Sequence, residues 1–187
     1  EMIHALADIV ESRDNNTGGH VKRTSKYVEL LARELRKIKP YDNVLSQDYI
    51  DALILAAPMH DIGKVAIPDK ILQKPDKLTN EEYEIMKTHT TEGARLIEQS
   101  LKIESDFYKK MIYEVVLYHH EKWNGKGYPT EKKEDEIPLG ARIMAVADVF
   151  DAVSQNRCYR EALSLDESFE IIRKGIGTDF DPIVAQC

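Results

Sequence analysis

Small and apolar residues recur along this chain at intervals of three and four, the period of helices that bury one face. Val21, Ser25, Val28, Ala32 and Leu35 form such a stripe behind Thr17, and the segment stops before Pro40. Ser46 is placed to cap a helix carrying Ile50, Leu53, Ile54 and Ala57. Thr79 with Glu82, and Ser164 with Glu167, have the spacing of capping boxes. The first box predicts one helix with Met86, Thr90, Gly93 and Ile97 on a common face. Another helix is predicted over about 104 to 122, and Pro138 suits the first turn of PLGARIMAVADVFDAVS, a segment apolar almost all round. The charged stretch TEKKEDE at 130 to 136 reads as a solvated turn. With no alternating strand, internal repeat or low-complexity tract, the pattern predicts an all-α, compact domain of about six to eight helices.

Composition narrows the possible functions. The 187 residues include 42% hydrophobic and 32% charged positions, enough for one folded domain with a real core. A net charge of -7 lacks the electrostatic footprint expected for polymeric nucleic acid, although a small anion needs only a local basic patch. Cys158 and Cys187 make neither a disulfide framework nor a cysteine zinc site, which points to a reducing, cytoplasmic setting. ALILAAPM at 52 to 59 is among the longest apolar runs, far short of the roughly 20 residues that span a bilayer. The opening EMIHALADIV resembles a helix entered in mid-register. It suggests a linker helix over 1–9 from an upstream regulatory domain, with the domain proper over 10–187 and the apolar first helix as a candidate homodimer contact.

The chemistry lies in histidines and carboxylates at apolar places. His60 ends the apolar stripe of its helix and is followed by Asp61, while His89 shares the face of Met86 and Gly93. Asp148 and Asp151 are one turn apart in the most apolar helix, where unpaired carboxylates would be costly. His119 and His120 are adjacent, and on a helix they project about 100 degrees apart, so both can address one metal. With His20, these make seven candidate ligands: His20, His60, Asp61, His89, His119, His120 and Asp148. A tetrahedral zinc takes only about four, so the set better suits two metals sharing a carboxylate. Mostly imidazole donors favour iron or manganese over calcium or magnesium. A second reading remains at this point, in which the histidines are scattered caps and core residues of a bundle. It leaves His119, His120 and Asp148 without a role.

The ordered motifs TGGH (17 to 20), HDIGK (60 to 64) with IPDKIL, His89 followed by Gly93, HHEKWNGKGYP (119 to 129), IPLGARIMAVADVFDA (137 to 152), RCYR (157 to 160) and GTDFDP (177 to 182) resemble the HD-GYP domain. This is a branch of the HD metal-dependent phosphohydrolase superfamily, and the likeness runs from about Val10 to the end. It implies an HD-type fold around a central buried metal site and a phosphodiesterase that linearises the bacterial messenger cyclic di-GMP. Carried over by position, the ligands are the seven residues above, with Asp61 as the bridge. The expected reaction is attack on phosphorus by a hydroxide bridging the metals, giving pGpG. The likeness also makes Lys64 a stabiliser of phosphoryl charge, Tyr128 a substrate contact, and Arg157 and Arg160 phosphate contacts. Asp151 is expected to orient Lys64 or a ligand histidine.

Departures from the family pattern qualify the expectation. Asn16 stands where some relatives carry a glutamate that helps hold a third metal, which favours two metals and a slow or absent second cut to GMP. Asn124, Gln155, Asn156 and Cys158 also differ from the commoner pattern, and they bear on substrate fit more than on metal binding. Two alternatives stand beside the main reading. One is an HD phosphohydrolase for another cyclic dinucleotide or nucleotide, and the other is a module that senses cyclic di-GMP without cleaving it.

Overall fold

The stripe that begins at Val21 folds as a helix whose buried face carries Val21, Thr24, Ser25, Val28, Ala32 and Leu35. The computed structural model describes residues 2–13, 19–100, 102–156 and 162–187. Its α-helices are α1 (Met2–Arg13), α2 (His20–Leu35), α3 (Gln47–Ala56), α4 (Asp69–Leu72), α5 (Asn80–Lys87), α6 (His89–Ser100), α7 (Asp106–Tyr118), α8 (Leu139–Ser154), α9 (Leu165–Lys174) and α10 (Pro182–Gln186). Eight of them have eight or more residues, and the described residues contain no strand beyond one isolated bridge between Ile176 and Phe180. The all-α expectation holds.

Local signals set most helix starts. Ser46 accepts from the Tyr49 amide, and Thr79–Glu82 and Ser164–Glu167 both close as reciprocal capping boxes. Thr17 lies outside the described residues, and the residue flanking α2 is Gly19, whose φ of 96° suits glycine. Pro138 occupies the position just before α8, which starts at Leu139. α8 is the central element and buries Leu139, Ala141, Ile143, Met144, Val146 and Ala147 against α2, α7 and α9. α1 is continuous across residue 9, with Ala7 and Val10 buried.

Two predicted helices end differently from expectation. The helix opened by Thr79 breaks at Thr88, because its halves serve different clusters. Met86 packs with Ile67, Ile71, Leu72 and Leu78, whereas Ile97 joins the main core. The helix expected to reach 122 stops at Tyr118. His119 caps it with its ring, Nδ1 lying 3.0 Å from the carbonyls of Val115 and Val116.

Between α3 and α4 the backbone tightens into two 3-10 turns, Ala57–Met59 and Ile62–Ala66, with His60 and Asp61 at the junction. The second turn lies directly on α6. A Cβ at Gly63 would sit 1.8 Å from the His89 carbonyl oxygen and 2.5 Å from the Gly93 amide nitrogen. Only glycine permits that approach, which carries Asp61 to the start of α6. Arg13 ties α1 to the same segment through the Val65 carbonyl (3.0 Å) and Asp69 (2.7 Å). Gly63→Ala is expected to cost about 3 kcal/mol, the upper end for overpacking. Chemical denaturation would measure it, and an unchanged midpoint would mean that the turn can lift away from α6.

Candidate metal centre

Four chain segments bring their donor atoms to Asp61. His89 approaches Oδ1 with Nε2 at 3.4 Å and His119 at 3.9 Å, while His60 reaches Oδ2 at 3.3 Å. His20 and His60 meet through their Nε2 atoms at 3.2 Å, and Asp148 Oδ1 lies 3.6 Å and 3.9 Å from those two atoms. Two groups capable of holding a metal result: Asp61 with His89, His119 and His120, and Asp61 with His20 and His60. The donor atoms of each group lie within 4.8 Å of one another, and Asp61 belongs to both.

The rings are aimed by their other nitrogens. Nδ1 of His60 lies 2.8 Å from the Ala57 carbonyl, and Nδ1 of His89 lies 2.8 Å from the Met86 carbonyl. A proton on each Nδ1 leaves Nε2 as the inward lone pair, the tautomer needed by a metal ligand. His20 uses a carboxylate for the same purpose: Asp151 Oδ2 lies 2.8 Å from its Nδ1. Arg23 in turn grips Asp151 through Nε at 2.6 Å and Nη2 at 3.1 Å.

Electrostatics divide the histidines. Burial foremost, and then mutual repulsion, keep His119 well below the ordinary histidine range. The same causes take His120 down to about 3, and burial also lowers His89. These rings are neutral and ready to ligate. Burial opposes charge on His60 too, but Asp61 and then Asp148 outweigh it and raise the group to about 9. Burial would raise Asp61, yet Lys64 and His60 hold it well below the carboxylate range. Without metal, then, a shared proton and the Lys64 ammonium, 2.8 Å from Asp61 Oδ2, balance the buried carboxylate. The donor set fits divalent transition metals: neutral imidazoles with preset tautomers, an anionic carboxylate between them, and one displaceable proton.

Tyr128 packs on the outer side of this cluster. Its ring stacks on His120 with centroids 4.9 Å apart and 29° between planes, and its amide donates to the His120 carbonyl at 3.2 Å. Burial raises its phenol above the ordinary tyrosine range, so the hydroxyl stays protonated. Gly127 allows the loop to fold back, since a Cβ there would lie 2.3 Å from the Lys122 nitrogen. Glu121 closes the loop by accepting from the Thr130 amide (2.7 Å) and hydroxyl (2.8 Å). Trp123 and Gly125 shape the loop, Trp123 through backbone bonds to Asp179 and Glu134 and Gly125 through its φ of 76°.

The structure therefore brings together His20, His60, Asp61, His89, His119, His120 and Asp148, with Lys64 and Tyr128 beside them. Of the partners foreseen for Asp151, it contacts the histidine, His20; Lys64 pairs with Asp61 instead. Arg157 and Arg160, like Asn16 and Cys158, lie outside the described residues. Arg23, Glu121 and Thr130 were not anticipated. Arg23 follows His20 by one helical turn, a faint signal, whereas nothing in the sequence pairs Glu121 with Thr130.

Comparison with known proteins agrees with this geometry. A family model described as "HD domain" matches residues 4–184. A probable cyclic di-GMP phosphodiesterase of Vibrio cholerae is 45% identical over 98% of this chain and 42% of its own length. A cyclic di-GMP phosphodiesterase of Thermotoga maritima is 39% identical over 100% of this chain and 47% of its own. A 3'3'-cGAMP-specific phosphodiesterase 2 of V. cholerae is 38% identical over 97% of this chain and 33% of its own. The chain thus spans less than half the length of these relatives. Among solved structures, a cyclic GMP-AMP specific phosphodiesterase from V. cholerae superposes with a TM-score of 0.67 at 18% identity, over 98% of this chain and 47% of that one. At that identity the likeness is one of fold. With a family model spanning nearly its whole length and donor atoms converging on the HD pair His60–Asp61, this chain belongs to the HD domain family.

Proposed function

We propose that this chain is a metal-dependent phosphodiesterase that hydrolyses cyclic di-GMP to linear pGpG. The observation that carries the reading is Asp61, common to two donor groups and paired with Lys64. Two divalent ions, iron or manganese, would be held by His20, His60 and Asp148 on one side and His89, His119 and His120 on the other, with Asp61 between them. Bound there, such ions supply a water acidified enough to act as nucleophile and Lewis acidity at the phosphoryl oxygens. Relatives named as cyclic di-GMP phosphodiesterases support the substrate. A reducing, cytoplasmic setting rests on the sparse cysteines, and a bacterial one on the organisms of the relatives above.

The chain's own groups have distinct tasks in this reading. Asp61 supplies a carboxylate to both sites, and Asp151 with Arg23 keeps His20 oriented. Lys64 holds an ammonium at the edge of the cluster, where phosphoryl charge develops. Tyr128 provides a ring and a protonated hydroxyl beside His120. Arg157 and Arg160 follow α8 and offer planar guanidinium donors to phosphate. A second substrate, 3'3'-cGAMP, has support in the relative specific for it, so both nucleotides belong in the same assay.

Chromatographic product analysis with anaerobically purified, manganese- or iron(II)-loaded chain tests the reading. Cyclic di-GMP should yield pGpG with little GMP, and Asp61→Ala should lose more than about a hundredfold in rate, beyond the usual effect of outer metal partners. Intact cyclic di-GMP with two ions per chain would point to another phosphoester or to sensing. Rapid GMP formation would remove the inference drawn from Asn16.

Metal binding should also expel the His60 proton. That group sits near 9 without metal, so it is protonated at neutral pH and must give up its proton to ligate. Metal affinity should therefore rise with pH towards that value, and binding at pH 7 should release about one proton. Calorimetry in buffers of different ionisation enthalpy measures the release. Its absence would mean that His60 is already neutral.

A further inference from the structure

A phosphodiester held at the metal centre must carry a substituent on either side of its phosphorus. Tyr128 stacks on His120. A half-open cavity of about 270 Å³ also adjoins His120, together with His119 and Asp148, and runs between α8 and the end of α9. Tyr128 is not among its walls. Ala145, Val149 and Phe180 give it apolar sides, and Lys174 stands at its rim.

These walls are fixed by the fold. The Phe180 ring lies where a Cβ on Gly175 would come within 2.5 Å of it, so glycine is needed for the ring to close that side. The loop bearing Phe180 is tied to the loop after His120 by bonds from the Trp123 amide to the Asp179 carbonyl (3.2 Å) and from the Asn124 amide to the Thr178 carbonyl (2.9 Å). One wall thus belongs to α8, which carries Asp148, and the facing wall is fastened to the segment that carries His119 and His120.

We infer that this cavity is the subsite for one nucleoside arm of the cyclic dinucleotide, with a purine base between the apolar side chains and the second phosphate near Lys174. This inference rests on the phosphodiesterase function proposed above. A flat aromatic base suits the apolar faces of Ala145, Val149 and Phe180, while the polar part of the lining includes Glu121 and the Lys122–Asp179 pair (2.9 Å), and Lys174 at the mouth suits the remaining phosphate. The arrangement accounts for a cavity that shares three candidate ligands, His119, His120 and Asp148, with the metal centre and carries a lysine at its rim.

Ala145→Trp fills the cavity from the half-buried face of α8, and Lys174→Glu reverses the charge at its exposed rim. Steady-state kinetics on cyclic di-GMP would be compared with those on bis(p-nitrophenyl) phosphate, a small diester, at equal metal content. Ala145→Trp should raise KM for cyclic di-GMP by about tenfold or more, and its loss in kcat/KM should exceed that on the small diester by a similar factor. Lys174→Glu should raise KM by about threefold or more, less so at high salt. Equal losses on both substrates, or an unchanged KM for cyclic di-GMP in both variants, would overturn the subsite. If Ala145→Trp does not fold, Lys174→Glu decides alone. No turnover of cyclic di-GMP by the unaltered chain would overturn the proposed function and the subsite with it, whereas turnover that the variants leave unchanged removes the subsite alone.

Discussion

A buried carboxylate among imidazoles sets the terms for the rest of this structure. Taking Asp61 out of water disfavours its charge, and Lys64 with the nearby histidines restores it. The histidines face the opposite problem. Crowded and buried, His89, His119 and His120 stay neutral, while His60 is held protonated by Asp61 and Asp148. The cluster is thus a balanced ion network that keeps most of its imidazole lone pairs available.

That balance needs a backbone able to bring five segments to one point, and the chain achieves it by interrupting its helices. His60 and Asp61 sit between two 3-10 turns, His89 restarts a helix after a break, and His119 and His120 follow the end of α7. At such ends the backbone carbonyls have fewer ladder partners and can take a ring proton beside or in place of a backbone one, so histidine Nδ1 can bond to them. Ala57, Met86, Val115 and Val116 supply those carbonyls. One geometric feature thus satisfies the helix end and fixes the tautomer. Gly63 adds the close approach that lets Asp61 reach across to α6.

Around the cluster, outer contacts hold the first ones in place. Arg23 holds Asp151 and Asp151 holds His20; Glu121 closes the loop that lays Tyr128 on His120. These partners come from different parts of the chain, His20 and Asp151 being 131 positions apart. They convert a set of donors into a site with one orientation.

The amino-acid sequence was enough for whatever depends on near neighbours. Ser46, Thr79 and Ser164 announce their helices because a cap acts within a single turn, and the apolar run of α8 announces its central burial. The donor inventory was legible as well, since imidazoles and carboxylates in apolar contexts need an explanation wherever they stand. Other features depended on tertiary packing. The break at Thr88 follows from two clusters pulling Met86 and Ile97 apart, and α7 ends at Tyr118 where the His119 ring takes its last carbonyls. Arg23, not Lys64, answers Asp151 because α2 lies against α8. The sequence by itself determined which chemistry was available, through residue type and local capping. Only the folded core decided which donors share Asp61, because that convergence is set by long-range packing to which no spacing along the chain corresponds.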